Sequence, residues 1–314
     1  MPPPPRFAKA DLALAGVCLC WGTGPLAMAE TVERVPPATA QALRFLIAGA
    51  LLAAFLRWRG HALPSGAGAW GRQFLVSAAN LIVAQFLFIW CLQYVPSALA
   101  AIITATLPFF LVAMAAIAGR TVPPWAWAGL GIGLAGMLLL FWPDLSGLWT
   151  DNGTAHGDRF WIGTGLLFLV ALIWASGAFM INAWTFQVSP FMGSAIQCII
   201  AGIAMVPLSF LLGEWPRIEW TWQGAAGIAW MVTVLTWGGY GLFVYMMGKL
   251  PPARASIYGY GAPLIAVLLG WLVRGEDFGP WRIAGSAAIL LGVAITTTAN
   301  GRAKDQPARG ADSP

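Results

Sequence analysis

Charge is what this sequence has least of. Its 17 Lys and Arg and 12 Asp and Glu make up 9% of 314 residues, against about 25% in an ordinary soluble protein. So few ionised groups cannot cover a soluble globule of this size. That excludes a soluble enzyme, a soluble nucleic-acid binder or a disordered chain; the net charge of +5 calls for no nucleic-acid partner. Histidine is scarce: His61 and His156 both lie between apolar runs. The four cysteines, Cys18, Cys20, Cys91 and Cys198, all fall inside such runs. Neither residue type has the spacing of a metal site or a disulfide framework, so no metal and no cofactor is expected. The chain has no phosphate loop and no polar catalytic set gathered near one membrane face. It is therefore expected to be neither a pump driven by nucleotide hydrolysis nor a membrane enzyme. Acids are missing from the depths of the apolar runs as well. Asp11 stands at the start of the first run, and the others lie in connections or tails. Proton relays in membranes ordinarily use buried carboxylates or histidines, so carboxylate-coupled proton antiport is not expected.

What the chain does have is apolar length. It is 59% hydrophobic with a mean hydropathy of +0.74. A helix crosses a bilayer with about 20 apolar residues. Ten such runs fall at about 10–29, 38–56, 73–94, 97–118, 124–142, 160–183, 190–212, 222–247, 252–273 and 279–298. The fold class is all-α, a polytopic membrane protein whose obligatory partner is the lipid bilayer. The first run, although preceded by Arg6 and Lys9, is expected to remain as a span. No clear small-residue cleavage site follows it. With ten spans both termini share a side. That side carries eleven Lys and Arg against five on the other, which predicts cytoplasmic termini. Tryptophans near run ends, such as Trp58, Trp125, Trp161, Trp222 and Trp281, read as interfacial anchors.

A shift of 153 to 156 residues aligns the two halves. Trp21-Gly22-Thr23-Gly24 falls on Trp174-Ala175-Ser176-Gly177, Pro37 on Pro190, Ala48-Gly49 on Ala201-Gly202, Val95-Pro96 on Leu250-Pro251, Pro108 on Pro263, Ala128-Gly129 on Ala284-Gly285, and Gly136 on Gly292. The expected organisation is a five-helix repeat over 1–150 and a second over 151–314 with a flexible C-terminal tail, joined by the Asp- and Gly-bearing stretch 143–159. Five is odd, so the second repeat must be inverted. Inverted repeats are the signature of transporters with a substrate site near the midplane.

Ten spans, the five-plus-five repeat, the Trp-Gly/Ala-Thr/Ser-Gly element of spans 1 and 6 and the proline-centred spans 4 and 9 resemble the drug/metabolite transporter superfamily. The nearest group is its EamA-type exporters, which include aromatic amino acid exporters. The resemblance runs over about residues 10–298. It implies two inverted repeats around a central cavity, and export of small metabolites across the bacterial inner membrane by alternating access. It does not name the metabolite.

Polar and aromatic groups inside the runs are the candidates for that cavity. Arg44 is either the counter-charge for a substrate carboxylate, which guanidinium grips as a fork, or a side chain that snorkels to headgroups or hydrogen-bonds a neighbouring helix. Its repeat mate is Gln197. Asn80, Gln85 and Tyr240, the last two being mates, face a cavity or hydrogen-bond between helices. Trp21 and Trp174, with Trp237, Tyr258 and Tyr260, offer an aromatic wall for a flat or cationic ligand, or simply pack. Thr23, Thr104 and Ser176 complete the candidate substrate-binding set. Pro108 and Pro263 each free a carbonyl, at Thr104 and Gly259. With Gly22, Gly177, Gly259 and Gly261 they are candidate hinges; the alternative is static kinks. Gly131-Ile132-Gly133-Leu134-Ala135-Gly136 matches a dinucleotide fingerprint but lies inside a span, where close helix packing explains it better. Asn152-Gly153-Thr154 is a formal glycosylation triplet. The reading is a monomeric amino acid exporter, aromatic amino acids first, working by facilitation or exchange. Efflux of drugs or quaternary amines is the alternative.

Overall fold

The structure is a computed structural model that describes residues 9–95, 100, 103, 104, 106–142, 158–274 and 279–304. The 143–157 connection with its Asn152 triplet, Pro96 and the chain after 304 lie outside the described residues. Ten helical segments run through the described chain and no strand occurs there. We number them α1 (Lys9–Gly22 continuing as Gly24–Val32), α2 (Pro37–Trp58), α3 (Ala67–Cys91), α4 (Leu107–Ile117), α5 (Pro124–Leu140), α6 (Asp158–Ala183), α7 (Pro190–Leu211), α8 (Trp222–Met247), α9 (Pro252–Ala255 continuing as Tyr258–Arg274) and α10 (Pro280–Lys304). The protein is a polytopic helical membrane protein.

Five helices, α2, α3, α6, α7 and α8, are long and apolar enough to cross a bilayer unbroken. Several others are shortened for local reasons. α1 breaks at Thr23, flanked by Gly22 and Gly24, because Pro25 brings no N–H to carry the helical ladder across this point. α4 turns at Thr106 and restarts at Leu107, so Pro108 lies in a first helical turn, where its missing N–H costs nothing. Pro108 thus lies at a helix start, whereas Pro263 lies inside α9. α3 and α8 widen in mid-helix to π hydrogen bonding, over Ala78–Ala84 and Met231–Tyr240. A shift of 155 residues lays the first segment onto the second. Such segments cluster at functional sites.

The two repeats show their inversion in the contacts between mates. α5 packs on α10, and α2 on α7. A Cβ added to Gly136 would lie 2.7 Å from Ile289 N and 2.9 Å from Gly285 O, and one on Gly292 would lie 2.6 Å from Gly129 O. Gly129 thus meets Gly292 while Gly136 meets Gly285, so the mated helices cross antiparallel. Gly49 against Ala195 and Ile199, with Gly202 against Leu46, repeats the pattern in α2 and α7. The other contacts also come in exchanged pairs: α1 packs on α9 and α8, and α6 packs on α4 and α3. Large apolar side chains such as Leu51, Phe55, Phe168, Ile203, Phe210 and Leu290 stay exposed, as a lipid-facing surface requires. Trp58, Trp125, Trp161, Trp222 and Trp281 are exposed at helix ends.

Candidate functional site

Mated tryptophans meet at the centre. Trp21 precedes the break in α1, and Trp174 lies in α6. Their rings stand edge to face at 5.5 Å. Tyr258, at the restart of α9, is 5.4 Å from Trp21 and accepts a hydrogen bond of 2.9 Å from Trp174 Nε1. Phe243 of α8 joins them all, with ring centroids 5.2 Å from Trp21, 5.6 Å from Trp174, 5.7 Å from Tyr240 and 5.3 Å from Tyr258. Phe243 was not a candidate by sequence, since a phenylalanine in an apolar run reads equally as core or lipid face. Its place three residues after Tyr240, on the same helical face, was the only signal.

Tyr240 links this aromatic cluster to a polar thread. Its hydroxyl donates to Gln197 Oε1 at 2.6 Å, and Gln197 Nε2 donates to Gln73 Oε1 at 2.6 Å. Ser77 Oγ donates to the Gln197 carbonyl at 2.6 Å. Arg44, on α2, is 3% exposed. Its Nε donates to Thr236 Oγ1 at 2.8 Å and its Nη1 to Gln41 Oε1 at 3.3 Å, while its guanidinium lies 5.0 Å from the Phe45 ring. Gln41 in turn donates to the Gln85 carbonyl at 3.4 Å. Arg44 is buried, and its hydrogen bonds go to neutral groups, one of them on the neighbouring helix α8. The ion pairs among the described residues belong to Arg34 and Arg254 instead. Gln41, Gln73 and Thr236 were missed by sequence because short polar side chains in a span carry no mark of their partners.

The other candidates sit around this centre. Asn80, in the π segment of α3, is fully buried, and neither amide atom has a hydrogen-bond partner. A Cβ at Gly177 would overlap that amide. Gln85 Nε2 faces Met28 Sδ at 3.8 Å. Trp237 turns away, donating to Ala48 O at 2.9 Å among Val35 and Ala40. Thr23 accepts from the exposed Trp230 at 3.0 Å, outside the cluster. Ser176 and Thr104 donate to carbonyls of their own helices, Ile173 at 2.7 Å and Ala100 at 2.8 Å. Tyr260 donates to Leu130 O at 3.0 Å on α5. The proposed hinge glycines lie at tight crossings: an added Cβ would be 2.7 Å from Ile265 at Gly22, 2.5 Å from Cys18 at Gly261 and 3.1 Å from Pro108 at Gly259. The dinucleotide-like glycines lie inside α5, with Gly133 against Tyr260 and Gly136 against α10. Among the described residues no group of three metal-ligating side chains forms.

Two carboxylates are more buried than hydropathy suggests. Glu214, from the α7–α8 connection, is 4% exposed. It accepts from Ala38 N at 3.2 Å, Thr39 N at 2.7 Å and Thr39 Oγ1 at 2.9 Å, capping α2. Asp11 pairs with Arg254 at 2.8 Å, joining α1 to α9. Both acids are thus held by protein groups.

Two antiparallel-mated helix bundles closing over an aromatic and polar centre define a membrane transporter. The chain belongs to the EamA-like transporter family, whose profile matches it twice, over residues 8–142 and 161–298. It is similar to the uncharacterized inner membrane transporter YedA of Escherichia coli, with 28% identity over 91% of this chain and 89% of that one. It is also similar to protein PagO of Salmonella typhimurium, with 26% identity over 94% of each chain, and to a WAT1-related chloroplastic protein of Arabidopsis thaliana, with 26% identity over 90% of this chain and 67% of that one. A solved crystal structure superposes with a TM-score of 0.76 over 93% of this chain and 99% of that chain, at 22% identity, and shares the fold.

Proposed function

We propose that this transporter exports small metabolites bearing a carboxylate, amino acids first and aromatic ones foremost, across the bacterial inner membrane by alternating access. The observation that carries the proposal is Arg44, a guanidinium buried among neutral partners. A buried cation is costly without an opposite charge, and a substrate carboxylate supplies one in the geometry guanidinium prefers. Trp21, Trp174, Phe243 and Tyr258 then offer faces and edges to a flat side chain. Asn80, with two unpartnered amide atoms, and Gln85 and Tyr240 orient the polar end. Gly22, Gly177, Gly259, Gly261, Pro108 and Pro263 are the positions at which the helices flex. The inner-membrane assignment draws on the name of YedA. Cytoplasmic termini follow from eleven Lys and Arg against five, and the functional unit is a monomer carrying both repeats.

Transport runs by facilitation or exchange in this proposal, since Asp11 and Glu214 are engaged by Arg254 and by α2. A second reading, efflux of quaternary amines, draws on the same aromatic cluster. It ranks lower because no acid touches that cluster among the described contacts. The test is counterflow in proteoliposomes loaded with unlabelled amino acids, following labelled tryptophan, phenylalanine, threonine and a quaternary amine, with and without an imposed pH gradient. Amino acid counterflow independent of the gradient is expected. Flux of the amine alone, or accumulation driven by the gradient alone, overturns the proposal.

A further inference from the structure

The inverted repeat makes two corners of the molecule equivalent, and they are finished differently. On the face where α2 begins, the α7–α8 connection folds onto the start of α2. Glu214 caps that helix, Glu219 N donates to Arg34 O at 2.8 Å, and Thr221 caps α8 by accepting from Gly224 N at 3.2 Å. Protein groups fill this corner. A shift of 153 residues carries it to the opposite face, between the α2–α3 and α6–α7 connections and the start of α3. There His61 stands where Glu214 does, exposed and engaged through its backbone, whose N–H donates to Leu56 O at 2.9 Å and whose carbonyl accepts from Arg57 at 2.8 Å. The corner is instead a cavity of about 240 Å³.

Its lining has a definite chemistry. Ser65, Arg72, Gln73, Thr185 and Gln187 contribute to it, and no acid among the described residues does. Arg72 is exposed, donates through Nη1 to Thr185 O at 2.8 Å, and takes part in no ion pair among the described residues. Ser65 donates from both N and Oγ to Gln187 Oε1, at 3.3 and 3.0 Å, tying the two connections together. Gln73, 1% exposed, bonds on its inner side to Gln197, which bonds to Tyr240. Two consecutive hydrogen bonds therefore connect the cavity to the aromatic cluster. The volume suits a small solute; pockets for drug-sized ligands measure about 300–1,000 Å³.

We infer that this cavity is a second binding site, a vestibule in which Arg72 holds the carboxylate of a small solute before it reaches the aromatic cluster. Gln73 is the positioning residue between the two. The inference rests on the proposed carboxylate substrate and adds to it a location, a cation and a route.

The test uses the full chain carrying Gly68→Cys. Gly68 is an exposed lining residue whose added Cβ meets nothing within 4 Å. The native thiols are buried at Cys18, Cys91 and Cys198 and half-buried at Cys20, so the unmodified chain gives a low labelling background. The rate of reaction with a membrane-impermeant maleimide is measured with phenylalanine, 3-phenylpropionate or phenethylamine present. The two carboxylates should slow labelling, about tenfold at ten times the half-protecting concentration by mass action, and the amine should not. Protection should vanish with Arg72→Gln and return with Arg72→Lys. No protection by either carboxylate, equal protection by the amine, or protection that survives Arg72→Gln overturns the vestibule. Counterflow of phenylalanine by the same chain separates the two levels. Flux without protection overturns the vestibule alone, whereas loss of both counts also against the carboxylate substrate.

Discussion

Replacing Arg44 by methionine separates a transport role from a structural one. The guanidinium makes two hydrogen bonds, to Thr236 Oγ1 and Gln41 Oε1. Hydrogen bonds to a charged group contribute about 1.5–3 kcal/mol each, so together about 3–6 kcal/mol. Removing the cation from water costs several kcal/mol in the opposite direction, and the two nearly cancel. The groups left behind are partly provided for. Thr236 still donates to Met231 O at 2.8 Å, and Gln41 still donates to Gln85 O. The folded protein should therefore change in stability by no more than about 2 kcal/mol, read as thermal melting of the detergent-purified chain. Transport should behave differently. A lost guanidinium–carboxylate contact of about 1.5–3 kcal/mol lowers the rate of amino acid counterflow about 10- to 150-fold at 1.4 kcal/mol per decade. Arg44→Lys, which keeps the charge but not the fork, should fall between. A methionine variant that melts far lower yet transports normally per folded molecule would refute the reasoning and make Arg44 a structural residue.

Other substitutions probe single contacts. Gly136→Ala should cost about 1–3 kcal/mol in melting experiments because the new methyl meets the backbone of α10. Gly131→Ala, with nothing within 4 Å, should be neutral or gain up to about 1 kcal/mol. Tyr240→Phe leaves Gln197 Oε1 without its buried donor and should destabilise by about 1–3 kcal/mol. Glu214→Ala removes the cap of α2 and should cost about 0.5–2 kcal/mol, with faster amide exchange at Ala38 and Thr39. Trp174→Leu should reduce counterflow of tryptophan relative to threonine by about 2- to 12-fold, the equivalent of one aromatic pair at about 0.5–1.5 kcal/mol.

The elements legible in the sequence are those written in local composition or in the duplication. Hydropathy marks all ten helices, because lipid contact demands apolar residues along the whole length of a span. The Gly129/Gly285 and Gly136/Gly292 matches anticipate the α5–α10 seam, since only glycine lets two backbones approach so closely. Trp21 and Trp174, aligned by the repeat, touch in space because both lie at the pseudo-twofold centre. What escaped depends on partners far along the chain. Nothing in Ala78–Ala84 distinguishes a π segment from an ordinary helix. Glu214 reads as a loop acid, yet its burial is decided by α2, about 175 residues away. Pro108 and Pro263 align but act differently, because Thr106 lets α4 restart whereas α9 has already turned at Ser256 and Ile257.

On the proposed alternating-access cycle, the departures from symmetry weigh one facing state against the other. If the two repeats were identical, the conformations facing either side would be equal in energy, and the carrier would have no preferred face. Here the α2–α7 and α5–α10 pairs keep the symmetry, with backbone-close glycines that make them a fixed frame. The differences concentrate elsewhere. α1 is broken at Thr23 while α6 runs unbroken through Ser176. Asp11 and Arg254 tie α1 to α9 on one face; their mates by position, Thr164 and Leu99, cannot form an ion pair. Glu214 clamps α2 on the opposite face, where its mate is His61. A partly exposed ion pair contributes about 0.2–1 kcal/mol and a helix cap about 0.5–2 kcal/mol. At 1.4 kcal/mol per decade, the ion pair alone changes the ratio of two states by up to about 5-fold and the cap alone by up to about 30-fold, and on opposite faces the two offset each other. A carrier needs both states populated, so a bias of this size sets a resting face without locking the cycle. On that proposal the charged contacts that break the repeat are where a directional preference would be tuned, while the glycine seams that preserve it would serve as the frame of the exchange.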